Sequence, residues 1–305
     1  MSVITKNTVD GNLAEALLAS FSEYPGDGVK YAVAESFPEI AVTTTTGRFP
    51  IYARENALQT INAVKAPGAL PAEVNVYTRE GVWNAQHISL SAIVPDGNNV
   101  FGFSAHEGAV QTLWQKIWAF KESVAANLLF GASVPAISTS GNLRNDVSAA
   151  KQAVYAATGL VPNALICSYP VYLKLLNSAD FLALFPGAAM LTEQDRANAL
   201  PAAFGLSRLI VSTAAASAEN APDDVATINS ILPNNEFCVA VVAPQGSALS
   251  VPSAGRTFKV LNDSGRTEEI VSVYDPQRAA TIHTVHMVLD IKLIDPKMAV
   301  RITGI

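Results

Sequence analysis

The sequence predicts an α+β chain on three observations: a long apolar helix over 108–130, an alternation of helix and strand from 145 to 242, and a closing run of strands between 268 and 303. Each rests on its own periodicity. In GAVQTLWQKIWAFKESVAANLLF, Val110, Leu113, Trp114, Ile117, Val124 and Leu128 recur at helical spacing. Between Asn145 and Val242, capped helical stretches stop at glycines ahead of short apolar runs. After Glu268, strand-like segments are interrupted by Asp275-Pro276 and Asp295-Pro296.

Composition narrows the function before any motif does. Half of the 305 residues are hydrophobic and 15% are charged, against roughly 25% charged in an ordinary soluble domain. A membrane is one destination for that surplus. No run of about 18 apolar residues exists, and the opening MSVITKNTVDG lacks the basic-then-apolar layout of a signal peptide, so neither a span nor export is expected. The other destination is protein–protein contact, because obligate interfaces resemble a domain core cut in half. An assembling subunit is the expectation. A net charge of −6 argues against a phosphate-gripping basic face. Cys167 and Cys238 lie far apart without CxxC spacing and read as buried thiols made in a reducing cytoplasm.

Residues 1–50 read as an irregular arm: a helical patch from Leu13 to Phe21, the turn Pro25-Gly26-Asp27-Gly28, and the threonine run 43–46 before Gly47. Such a segment builds no core and is expected to lie on another surface, a neighbouring copy included. From Pro67, Val74, Val76 and Tyr77 read as one strand, and Ile88, Leu90, Ala92 and Val94, alternating with His87, Ser89 and Ser91, as another. With Arg79-Glu80-Gly81 between them and Pro95-Asp96-Gly97 closing, the two suggest a long hairpin, which is marginal in water without a partner surface.

In the long helix, Trp118, Phe120 and Leu129 widen the apolar arc beyond one stripe, and Gly131 stops it. Lys121 falls inside the arc. Snorkelling out of the core is its commoner fate, with an acid on a neighbouring copy the alternative. Downstream, Asn145 or Asp146 caps a helix over 147–158 that ends at Gly159, and 164–167 reads as a buried strand. Ser168 caps the next helix with Pro170 in its first turn, carrying Val171, Leu173, Leu175 and Leu176. Thr192 and Asp195 resemble a capping box, and Gly205 precedes the strand 209–212. Phe237 to Val242 has no polar face, as suits a central strand. In the long strand 281–294, Val285, Met287, Leu289, Ile291 and Leu293 form one face and Thr284, His286, Asp290 and Lys292 the other.

The chemical motifs are weak. His283 and His286 would face opposite sides of a strand and have no third ligand. No GxSxG, GxxxxGK[ST] or strand-linked GxGxxG is present. His106-Glu107 point about 100° apart on a helix, with Glu107 a first-turn acid; Asp223-Asp224 and Glu268-Glu269 read as solvated charge. No catalytic, cofactor-binding or metal-ligating residue is assigned, and no enzyme is expected.

The stretches NDVSAAKQAVYAATG, PNALICSYPVYLKLLNS and LTEQDRANALPAAFGLSRLIVSTA, preceded by YTREGVWNAQHISLSAIVPDGNN and followed by EFCVAVVAP and RTFKV, resemble in order the major capsid proteins of tailed phages with the Hong Kong phage-type fold, which encapsulins share. The resemblance covers nearly the whole chain and rests on ordered combination, since each motif is loose. It implies an N-terminal arm over 1–50, an extended-loop region over 51–105 with its hairpin around 67–97 lying over an adjacent subunit, a peripheral domain over 106–146 with the long helix as spine, an axial domain over 147–250 and peripheral strands over 251–305. It implies partners too: further copies in pentamers and hexamers, with scaffold, portal or decoration proteins beside them, enclosing DNA without specific binding and touching no membrane. Location in the virion follows. Trp114, Trp118, Phe120 and Lys121 on the helix, with Tyr77 and Trp83 near the loop, are the candidate interface residues. No residue trio fits the covalent cross-link of some relatives. Two alternatives stay open: an encapsulin-like compartment, and an α/β enzyme with an unrecognised site.

Overall fold

The computed structural model describes residues 29–52, 58, 78–96, 105–184, 191–217, 228–262 and 265–305. The patch Leu13 to Phe21, the turn at 25–28, the strand at 74–77 with Tyr77, and Asp223-Asp224 lie outside them. In chain order the elements are α1 (Ala32–Ser36), β1 (Glu39–Val42), β2 (Thr46–Tyr52), β3 (Thr78–Asn84), β4 (Gln86–Pro95), α2 (Ala105–Leu129), β5 (Ala136–Ser138), α3 (Leu143–Thr158), β6 (Ala164–Ser168), α4 (Tyr169–Leu176), α5 (Ala179–Leu184), α6 (Glu193–Ala203), β7 (Arg208–Ser212), β8 (Ala215–Ser217), β9 (Ile228–Ser230), β10 (Glu236–Ala240), β11 (Gly255–Val260), β12 (Glu268–Asp275), β13 (Ala280–Leu293) and β14 (Ala299–Thr303). The chain is thus mixed α+β, as expected.

Two five-stranded sheets organise it. In the first, antiparallel β4 pairs with β13 over 280–289, β12 pairs with 280–287 of β13 and β11 with its 289–293, and β1 runs parallel to β11 at the edge. The second runs β5-β14-β10-β6-β7. Its central strands β6 and β10 are buried on both faces, which is why neither shows alternation in sequence. The long helix α2 packs on β13 and β4, and α3 packs on β14. Along β13, Val285, Met287, Leu289 and Ile291 are buried while His286 is exposed, so the strand's period of two is read out directly in burial.

The hairpin expectation needs correction. The strand at 88–94 pairs with β13, from Gln86 opposite Leu289 to Pro95 opposite Ala280, while 74–77 lie outside the described residues. Arg79-Glu80-Gly81 is strand rather than connection, lying opposite Ile51, Pro50 and Phe49. Alternating polarity shows that a strand has two unlike faces but names no partner, and β13 offers Val285 and Met287 opposite Leu90 and Ile88.

The α3 cap shifts as well. Asn142 is the N-cap, its side chain accepting from the Asn145 N–H at 3.0 Å. Asp146 instead staples the preceding loop, accepting from Thr139 Oγ1 at 2.6 Å, Ser140 Oγ at 2.7 Å and the Ser140 N–H at 3.1 Å. Burial pushes its carboxyl up, but these donors outweigh burial and hold it below the ordinary value. Gly159 ends α3 with φ 68°, where a side chain would be strained. Thr192 caps α6: its Oγ1 accepts from the Asp195 N–H at 3.2 Å and donates to Asp195 Oδ2 at 2.7 Å.

Candidate assembly surface

The candidate assembly surface is a two-stranded ribbon, held by a buried clamp on the segment that precedes it. β2 and β3, seven residues each, pair from Thr46 opposite Asn84 to Tyr52 opposite Thr78. Gly47 lies opposite Trp83 and Gly81 opposite Phe49, and a Cβ on either glycine would collide with the facing ring. Each aromatic therefore covers a glycine, which compensates the strand's missing side chain. Trp83 and Phe49 in turn meet Phe258 of β11, both at 5.4 Å between ring centroids. The Asn84 N–H donates to Asp290 Oδ2 at 2.9 Å, and Lys292 Nζ donates to the Val82 carbonyl. The root is thus fixed to β11 and β13. Farther along, the ribbon carries the solvent-facing pair Arg48–Glu80 at 2.9 Å, worth about 0–1 kcal/mol. Replacing Gly81 by valine is expected to displace Phe49 and lower stability by about 1–3 kcal/mol, a shift that denaturant titration with tryptophan fluorescence would read.

Just before the ribbon, residues 30–42 are gripped by adjacent residues of α2 that point about 100° apart. Glu122, with 0% exposure, accepts from the Ala32 N–H at 3.0 Å and the Val33 N–H at 2.8 Å. Burial pushes its carboxyl up, partly offset by hydrogen bonds from Ser212, Val33 and Ala32. Lys121, 1% exposed, lies 3.7 Å over the Trp118 ring and 3.5 Å from Glu39 Oε1. Glu39 Oε2 meets Lys259 Nζ at 2.8 Å, which meets Glu268 at 3.0 Å. The alternating Lys–Glu–Lys–Glu chain joins α2, β1, β11 and β12. Burial and then the Lys259 charge lower Lys121 to about 8, against the pull of Glu39 and Glu268. Burial pushes Glu39 up, yet Lys121 and Lys259 outweigh it and hold the carboxyl low. Because the folded carboxyl titrates below the ordinary 4.5, its contribution is full above that pH and is lost as pH falls further; a Glu39→Gln variant is expected to flatten that part of the stability profile. Gln245 adds two holds, donating to the Ala34 carbonyl and accepting from the Glu39 N–H at 3.3 Å.

The sequence-derived candidates separate accordingly. Lys121 does not snorkel: an acid of its own chain keeps it inside. Trp114 and Trp118, at 1% and 8% exposure, also lie within the subunit core and have little surface to present to a neighbour. Phe120 turns outward, 47% exposed, and Trp83 is half-buried at the ribbon root; Tyr77 is outside the described residues. Glu268 is buried in the ion chain rather than solvated, while Glu269 is exposed.

His283 and His286 are not brought together, since His286 is exposed on the opposite face. The structure instead places His106 Nδ1 2.8 Å from His283 Nε2, and Ser272 Oγ 2.8 Å from His283 Nδ1. Spacing could not reveal that pair, 177 residues apart. Among the described residues no group of three or more His, Cys, Asp or Glu could hold a metal, and no helix is long and apolar enough to cross a membrane. Cys167 and Cys238 are buried free thiols, and burial pushes Cys238 up to about 12.

No family model and no curated protein matches the sequence. Solved structures match the fold along nearly its full length. A phage-related protein from Bordetella bronchiseptica RB50 superposes with TM-score 0.68 at 17% identity, covering 95% of this chain and 96% of its own. A virus-like particle protein from Pyrococcus furiosus gives 0.57 at 12% identity, over 95% and 97%. The capsid of cyanophage P-SCSP1u gives 0.57 at 12% identity, over 91% and 89%. The chain has the Hong Kong phage-type capsid fold.

Proposed function

We propose that this chain is the major capsid protein of a tailed bacteriophage, a structural subunit whose copies assemble as pentamers and hexamers into the icosahedral head around the genome. The match along nearly the whole chain to the folds of a virus-like particle and a phage capsid carries the reading. The anchored ribbon supports it: a two-stranded element without its own core gains stability from a neighbouring surface. Small pairwise gains repeated by symmetry then yield a stable closed particle.

On this reading residues 1–50 are the arm, 51–105 the extended-loop region rooted in β2 and β3, 106–146 and 251–305 the peripheral domain, and 147–250 the axial domain. Phe120, Trp83 and Tyr77 remain the candidate interface residues. Scaffold, portal or decoration proteins would be further partners, and a net charge of −6 suits a subunit that encloses DNA without binding it specifically. We assign it no catalytic role and a place in the virion. Electron microscopy of the overexpressed chain, with its mass in solution, tests the proposal. Shells, capsomer rings or tubes are expected; a monodisperse monomer across salt and concentration would overturn it. Shells purified with protein cargo and no nucleic acid would favour the compartment reading instead.

A further inference from the structure

We infer that His106 and His283 form an acid-sensitive latch fastening the first turn of α2 to the sheet, and that the latch accommodates one added proton but not two. His106 is the second residue of α2; His283 lies on the core face of β13, 2% exposed. The rings meet edge-on, with 5.0 Å between centroids and 80° between planes.

Hydrogen counting gives the behaviour. The two neutral rings carry one N–H each, and the 2.8 Å gap between His106 Nδ1 and His283 Nε2 holds a single hydrogen. One added proton fits without disturbing the gap, because the outer nitrogens remain: His106 Nε2, and His283 Nδ1 facing Ser272 Oγ. A second proton has no site left but the gap itself. It would set two N–H groups against each other and place two positive charges side by side in a partly buried site, so the rings must part.

Among the described residues, the charged groups nearest the pair are already engaged or face solvent. On the two strands paired with β13, the residues opposite His283 are Ala92 and Ser272. Asp96 lies two rungs outward, hydrogen-bonded to Tyr274 at 2.8 Å, and Glu268, two rungs inward, is engaged by Lys259. On α2, Glu107 is exposed, and the next residue buried toward the sheet is the apolar Val110. Burial, and then His106, hold His283 below the ordinary 6.5. A base held low in the folded state loses stabilisation as pH falls from 6.5 toward its folded value, so acid weakens the latch.

Hydrogen exchange followed by mass spectrometry on the full chain, in its native assembly state, tests this between pH 8 and pH 4.5. Protection factors for a peptide spanning 105–110 are expected to fall by up to about tenfold per pH unit as pH drops from 6.5 toward the lowered folded titration of His283, while α3 peptides over 143–158 keep theirs. A His106→Leu variant is expected to show weak protection of 105–110 already at pH 8 with α3 intact. Protection of 105–110 that stays constant to pH 4.5, a loss that runs in step with α3, or an unaffected His106→Leu variant would each overturn the latch.

Discussion

Replacing Glu122 by alanine is expected to lower the unfolding free energy by about 3 kcal/mol, among the larger effects of any single change near the ribbon. The carboxylate is fully buried and accepts from the Ala32 and Val33 N–H groups, with Ser212 as a further donor. Truncation leaves those donors without acceptors in a closed site, at about 1–3 kcal/mol for each group that water does not reach. Glu122→Gln keeps one acceptor oxygen and also removes the cost of a buried charge, so roughly half the loss is expected. Urea titration at unchanged slope reads both values. A Glu122→Ala loss under about 0.5 kcal/mol, a size ordinary for surface substitutions, would show that the carboxylate does not hold the segment.

Replacing Lys259 by methionine is expected to cost about 3–5 kcal/mol, the range for breaking a buried ion pair from one side. Lys259 is the hinge of the ion chain, meeting Glu39 at 2.8 Å and Glu268 at 3.0 Å. Burial lowers the Lys259 ammonium, but Glu268 and Glu39 outweigh it and hold the group above its ordinary value. Without it, Glu268 remains buried and unpaired. Lys121→Met is the informative contrast, because Lys121 is already disfavoured by burial and by the Lys259 charge, and its loss leaves Glu39 still paired. That change is expected to be near neutral or slightly stabilising. Equal losses in the two variants would contradict the asymmetry of the ion chain. If the clamp sets the ribbon's root, Lys259→Met is also expected to reduce the yield of closed shells relative to Lys121→Met at temperatures where both remain folded.

Much of the fold was legible in the sequence because helix and strand signals are local. The first half of the α2 stripe, the Gly159 stop, the Thr192 cap and the two faces of β13 each depend on residues within a few positions, and each appears in the structure, whereas Val124 and Leu128 lie half-buried beside the face that Ala125 and Leu129 continue. The ordered apolar phrases identified the capsid fold even though overall identity to solved relatives is low. The assembly surface was less legible. Trp114 and Trp118 advertise greasiness without saying which side of the greasy helix faces the subunit's own sheet, and both belong to the core.

Local periodicity was sufficient for the long elements and the mixed α+β class, but not for the start of α3, the strand character of 79–81 or the core packing of 32–37. Strand partners, the burial of Lys121 and Glu268, the gripping of residues 30–42 by Glu122 and the meeting of His106 with His283 depended on the folded chain. The physical reason is range: backbone conformation answers to neighbours a few residues away, whereas many of the hydrogen bonds, ion pairs and ring contacts join residues far apart in sequence, 82 positions for Lys121 and Glu39 and 206 for Asn84 and Asp290, and exist only once the layers have packed.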